Sequence, residues 1–142
     1  MTLRELDNLV KIQTLKVESP DQGEFNRMID SAKRCLKDAR VDGLSEEGKF
    51  SSAYTASHIL SLAALRWHGY RSNNRYQVFQ CLVHTVGFDE VKLRILANCH
   101  NLRNVAEYEG HLEITPQLLG ELIDITEELL ELVEDMDPIE RR

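Results

Sequence analysis

Helix start and stop signals punctuate this sequence at nearly every boundary, and no segment between them carries the period-2 alternation of a strand. Thr2-Leu-Arg-Glu5 is a capping box, followed by Leu3, Leu6, Leu9, Val10 and Leu15 at helical spacing. Ser19-Pro20-Asp21-Gln22 stops that helix and caps the next, with Pro at the first helical position. Phe25, Met28, Ile29, Ala32, Leu36 and Ala39 form its stripe, which closes near Asp42-Gly43. Ser45-Glu-Glu opens a helix that runs to His68 and ends at Gly69. After the loop Gly69–Asn74 comes a short helix carrying Val78, Phe79, Leu82 and Val86. Phe88-Asp89 staples onto Leu93 and opens a helix ending at Gly110, and Thr115-Pro116 caps the last one. The pattern predicts an all-α fold, an up-and-down bundle of four to five main helices joined by short loops, with residues 1–142 as one domain.

Side-chain size and charge place these helices. Ser51, Ser52, Ala53, Ala56, Ser57, Ser61, Ala63 and Ala64 let neighbouring backbones approach, which puts the helix from Ser45 to His68 at the centre. Leu118, Leu122, Ile125, Leu129, Leu132 and Met136 keep a four-three spacing in the last helix. Leu119, Ile123, Leu130 and Val133 make a second row, so that helix buries a wide front. A chain of 142 residues buries enough surface to hold a core without staples. No apolar run approaches the roughly 20 residues of a spanning helix, so no membrane role is expected. The start, MTLRELDNLVKIQ, has charges threaded through it, unlike a signal peptide. Cys35, Cys81 and Cys99 are odd in number and far apart, which fits a reducing cytoplasm.

The net charge of −7 argues against a protein that coats nucleic acid by bulk charge. Its distribution is uneven. Gly48 to Phe88 holds no Asp or Glu but contains Lys49, Arg66, Arg71 and Arg75, whereas Asn104 to Glu140 holds no Lys or Arg against twelve acids. The segment Arg66–Arg75, with Trp67, His68, Tyr70, Asn73 and Asn74 interleaved, reads either as a phosphate-and-base contact loop or as a surface loop whose Trp67 caps the core. Tyr54 and His58, one turn apart, read as polar groups at the edge of the core.

Metal and cofactor patterns are missing from the sequence. A di-iron bundle needs Glu-x-x-His pairs, yet Thr55, Leu65, Cys81, Ala97 and Tyr108 stand three residues before the five histidines. Cys81-x-x-His84 has no second ligand pair, and no Gly-rich phosphate loop occurs. In the helix from Asp89 to Glu109, Val91, Ile95, Cys99, Leu102 and Ala106 share one face and are expected to form the core stripe. His100, Arg103, Asn104, Glu107 and Tyr108 fan over the other side. Leu93 and Leu96 are expected on that outer side too, as a dimer surface leading into a polar cleft or as two stray leucines on a solvated face.

The stretch Phe50-Ser-Ser-Ala-Tyr54-Thr-Ala56, continuing to Ala63-Ala64-Leu65 and Gly69-Tyr70-Arg71, resembles the central helix of HEPN domains, small prokaryotic helical bundles. Leu102-Arg103-Asn104-Val-Ala-Glu-Tyr108-Glu-Gly110 resembles the family's signature, an Arg with a polar neighbour followed four to six residues later by His. The resemblance covers about residues 21–134 and leaves 1–18 as an extra N-terminal helix. It implies a homodimer and metal-independent action on RNA, with Arg103 and Asn104 central and no cofactor. Arg66, His68, Arg71, Arg75 and His100 are the expected supporting RNA contacts. Tyr108 stands where the first allowed His would be, and a phenol of pKa about 10 is a poor base at neutral pH. The resemblance therefore leaves open a ribonuclease relative and a module that only binds RNA. Some relatives work as toxin–antitoxin partners of a minimal nucleotidyltransferase that modifies a Tyr, which makes a non-enzymatic partner of such an enzyme, or of another protein, the alternative.

Overall fold

A computed structural model describes residues 3–12 and 14–139. The chain runs α1 (Leu3–Lys11), β1 (Lys16–Val17), α2 (Gln22–Asp38), α3 (Glu46–Trp67), β2 (Tyr70–Arg71), α4 (Arg75–Gln80), α5 (Leu82–Thr85), α6 (Glu90–Glu109) and α7 (Pro116–Glu134). The all-α bundle expected from the caps is what forms. Ser45 Oγ accepts from Gly48 N, Asp89 Oδ1 from Lys92 N and Thr115 Oγ1 from Leu118 N, so each of these caps satisfies an otherwise orphaned helix-start amide. Gly69 and Gly110 follow α3 and α6 at φ +89° and +77°, where a Cβ would be strained.

Three local expectations change. The capping box residue Thr2 lies outside the described residues. Pro20 is not the first helical residue, because Asp21 takes the cap by accepting from Glu24 N, and α2 starts at Gln22. The chain also contains a minimal strand pair, β1 antiparallel to β2, with Lys16 opposite Arg71 and Val17 opposite Tyr70.

Central α3 packs chiefly against α2 and α7. Ala53, Ala56, Ser57, Ser61, Ala63 and Ala64 are all buried, as their size requires. The buried hydroxyls cost little because Ser57 and Ser61 donate to carbonyls of their own helix, Tyr54 O and Ser57 O, at 2.7 Å. The main core joins α2, α3 and α7 through Phe25, Ile29, Leu60, Leu122 and Leu129. A second, smaller cluster seats the N-terminal segment with Leu6, Leu15, Leu65, Tyr70, Val78 and Cys81. The acidic α7 is partly neutralised across the bundle by Lys33–Glu134, Arg40–Glu127 and Lys92–Glu128. Among the described residues, no helix is long and apolar enough to cross a membrane.

Helix α6 keeps part of its expected stripe, with Cys99 buried and Ile95 and Leu102 packed against the main core, but its buried face is turned toward Leu93 and Leu96. Leu93 and Leu96 are 9% and 0% exposed within the main core, whereas Val91, expected inside, is 61% exposed. Leu93 and Leu96 therefore do not form an exposed dimer surface. The inward face of α6 runs through Leu93, Leu96, Cys99, His100 and Arg103, the last two meeting Tyr54 of α3, His100 at its hydroxyl and Arg103 over its ring.

Candidate nucleic-acid interface

Tyr54 is the point where α3, α4 and α6 meet. Its ring is 2% exposed and lies against Phe50 and Phe79 at centroid distances of 6.1 and 5.8 Å. At its polar end the hydroxyl is 2.9 Å from His100 Nδ1, and Asn104 Nδ2 is 3.1 Å from His100 Nε2. An amide NH₂ can only donate, so Nε2 accepts from Asn104 and the neutral ring carries its proton on Nδ1, donating to Tyr54 Oη. Arg103, one turn beyond His100, places its guanidinium carbon 5.3 Å from the Tyr54 ring centre and pairs with Glu107 at 2.8 Å. Arg75, at the start of α4, brings a second guanidinium beside the Tyr54 hydroxyl. Tyr76, its neighbour, is half exposed, with its ring centre 6.2 Å from that of His100.

Charge in this cluster is one-sided. The acid-free stretch around α3 and α4 contributes no carboxylate, and the sole ion pair of the two arginines among the described residues is Arg103–Glu107. Burial, then Arg75 and Arg103, lowers His100 below the ordinary imidazole value, so it stays neutral near pH 7. His58, one turn along α3 from Tyr54, is pushed down to about 4 by burial, with help from Arg75, Arg103 and His100. Burial raises the Tyr54 phenol despite the opposing pull of both guanidiniums. Two cations, two neutral imidazoles and a phenol make a surface suited to an anion.

The expected site residues divide between this cluster and the far end of α3. Arg103, Asn104, His100 and Arg75 come together, and Tyr54 and His58, expected only as polar groups at the edge of the core, join them. Tyr108 does not. Five residues beyond Arg103, it is turned about 140° around the helix and is 95% exposed. The position one turn after Arg103 belongs to Glu107 instead. Arg66 is also removed from the expected RNA surface. Its side chain is 3% exposed, donating from Nε to Glu24 Oε1 at 2.7 Å and from Nη1 and Nη2 to the carbonyls of Glu18 and Ser19 at 2.8 Å. Arg71 pairs with the same two carboxylates, Glu18 and Glu24. These arginines tie the N-terminal segment to α3, about 18 Å along the helix from Tyr54.

His68 lies at that far end, edge-on to Trp67 at 4.9 Å. It borders a cleft of about 870 Å³ that Pro20, Tyr70 and Ile139 also line. The Trp67 indole packs on the core and donates to Asp137 O at 2.8 Å, as a core-capping residue does. Cys81 is buried, its thiol pushed up by desolvation. Among the described residues, no group of three or more His, Cys, Asp or Glu is placed to hold a metal ion.

Sequence reasoning missed the role of Tyr54, Tyr76 and Phe79. The available signal was the coincidence of aromatic residues with Arg75 in a segment free of acids. No family model matches the chain, and neither does any curated protein or solved structure.

Proposed function

We propose that this chain is an RNA-directed, HEPN-like module of the cytoplasm that contacts RNA phosphate through Arg75 and Arg103. The observation carrying this reading is the convergence of both guanidiniums on the Tyr54–His100 pair, with Glu107 as the single local carboxylate partner. Guanidinium forks suit phosphate oxygens, and exposed Tyr76 offers a face for a base. His100, rather than Tyr108, supplies an imidazole beside Arg103. Its Nε2 lone pair, held by Asn104, is the proton acceptor a ribose 2′-hydroxyl would meet on displacing that amide.

The test is binding and cleavage of single-stranded RNA in EDTA. Arg103→Ala is expected to weaken binding about tenfold, the worth of a charge-assisted hydrogen bond, while Tyr108→Ala leaves it unchanged. Any cleavage is expected to fall on His100→Gln. Loss of activity on Tyr108→Ala with none on Arg103→Ala would overturn the assignment. A second reading, a non-enzymatic partner of a nucleotidyltransferase, draws on the openness of Tyr108. It takes first place if the native protein binds no RNA and the Tyr108 hydroxyl is modified by such an enzyme.

A further inference from the structure

The two guanidiniums around Tyr54 are not equivalent, and their difference bears on which phosphate the site prefers. Arg103 already has an anion in Glu107, four residues along the same helix and 62% exposed. An exposed pair of this kind is weak, so a ligand can displace it. Arg75 has no carboxylate partner among the described residues.

An internal phosphodiester carries one negative charge. Exchanging it for Glu107 on Arg103 leaves the charge at that arginine unchanged, and Arg75, beside the Tyr54 hydroxyl, still lacks an anion. A terminal phosphate monoester carries close to two charges above its second pKa of about 6 and has three free oxygens. It can engage both guanidiniums at once, and the base attached to its nucleotide has Tyr76 within reach. Resting on the RNA reading above, we infer that the Arg75–Arg103 site selects a phosphate monoester at an RNA end, or on a free nucleotide, over the internal phosphodiester.

The groups facing His100 are Tyr54 and His58 on α3, Arg75 and Tyr76 on α4, and Arg103 and Asn104 on α6. A bound dianion cancels the field of the two arginines. It is therefore expected to raise the His100 titration point, giving a readout independent of affinity.

The experiment compares one short RNA bearing a terminal phosphate with the same RNA ending in hydroxyls, at pH 7.5 and fixed salt. Mononucleotide and inorganic phosphate are titrated separately, with His100 followed by NMR. The phosphorylated RNA is expected to bind about tenfold tighter, one more charge-assisted contact. Arg75→Gln is expected to abolish that preference, with the melting temperature checked to confirm folding. Phosphate is expected to move the His100 titration upward in the native protein and not in Arg75→Gln. A mononucleotide binding as tightly as the phosphorylated RNA assigns the site to free nucleotides, whereas weaker binding assigns it to RNA ends. Equal affinity for the two RNAs overturns the inference and leaves the RNA reading standing. If neither RNA binds but phosphate still moves His100, the RNA reading fails and the dianion site remains. No response to any ligand removes both.

Discussion

Replacing Arg66 separates a structural arginine from an RNA contact. Its guanidinium is nearly closed to water and makes three short hydrogen bonds, to a Glu24 oxygen and to the Glu18 and Ser19 carbonyls. In Arg66→Met, the two carbonyls and the carboxylate lose their donor. Full removal of one partner of a buried ion pair costs about 3–5 kcal/mol. Glu18 and Glu24 retain 49% and 30% exposure and can rehydrate, so about 3 kcal/mol is the better figure. With an unfolding entropy near 2.1 cal/mol/K per residue, a chain of 142 residues should melt about 10 °C lower. Arg66→Lys keeps the charge but not the fork, and should recover about half of that loss. Thermal unfolding followed by circular dichroism, checked by urea titration, reads both variants, and RNA affinity is measured well below the melting temperature. If Arg66→Met melts within about 2 °C of the parent while RNA binding collapses, Arg66 is a ligand contact and the clamp argument is wrong.

Two further predictions probe α6 and the Tyr54 surroundings. Leu96→Ala empties a fully buried site and should cost about 2–5 kcal/mol in urea titrations, with no change in oligomeric state by light scattering; a stable variant with altered mass would restore the interface role. His58 titrates near 4 when folded against 6.5 as its ordinary value, so between those pH values the unfolded chain binds the extra proton. Stability therefore falls as pH drops through that window, by at most about 3 kcal/mol from this residue. His58→Phe should flatten that limb of the stability profile, and an unchanged slope would refute the assignment.

Capping chemistry made most boundaries legible, because Ser45, Asp89 and Thr115 satisfy their helix starts with partners only three residues away. The phase of α6 was not legible in the same way. Cys99 belongs to either candidate stripe, and Val91-Ile95-Leu102 has as regular a spacing as Leu93-Leu96. Local spacing also does not show Tyr54, 46 residues upstream, whose hydroxyl gives the inward His100 its partner while Leu93 and Leu96 enter the core. The same distance effect hid the role of Arg66. A basic residue in an acid-free segment reads as a phosphate contact until Glu18 and Glu24 arrive from the preceding elements. Tyr108 was misplaced for a local reason, since five residues is a poor spacing for two groups on one helical face.

The separation of the two hydrophobic clusters gives the molecule a hierarchy of openings. The N-terminal segment is seated by Leu6 and Leu15 on a patch of its own, away from the core that joins α2, α3 and α7. Detaching α1 uncovers that patch without breaking into the main core, so this opening requires less free energy than global unfolding. Backbone amides of α1 should therefore trade hydrogen for deuterium through a local event while those of α3 wait for the whole bundle to open. The boundary between the two regimes falls at the Arg66 clamp, which holds Glu18 and Ser19 to the central helix. Among the described residues, those before that point are expected to exchange as one releasable unit and those after it with the bundle.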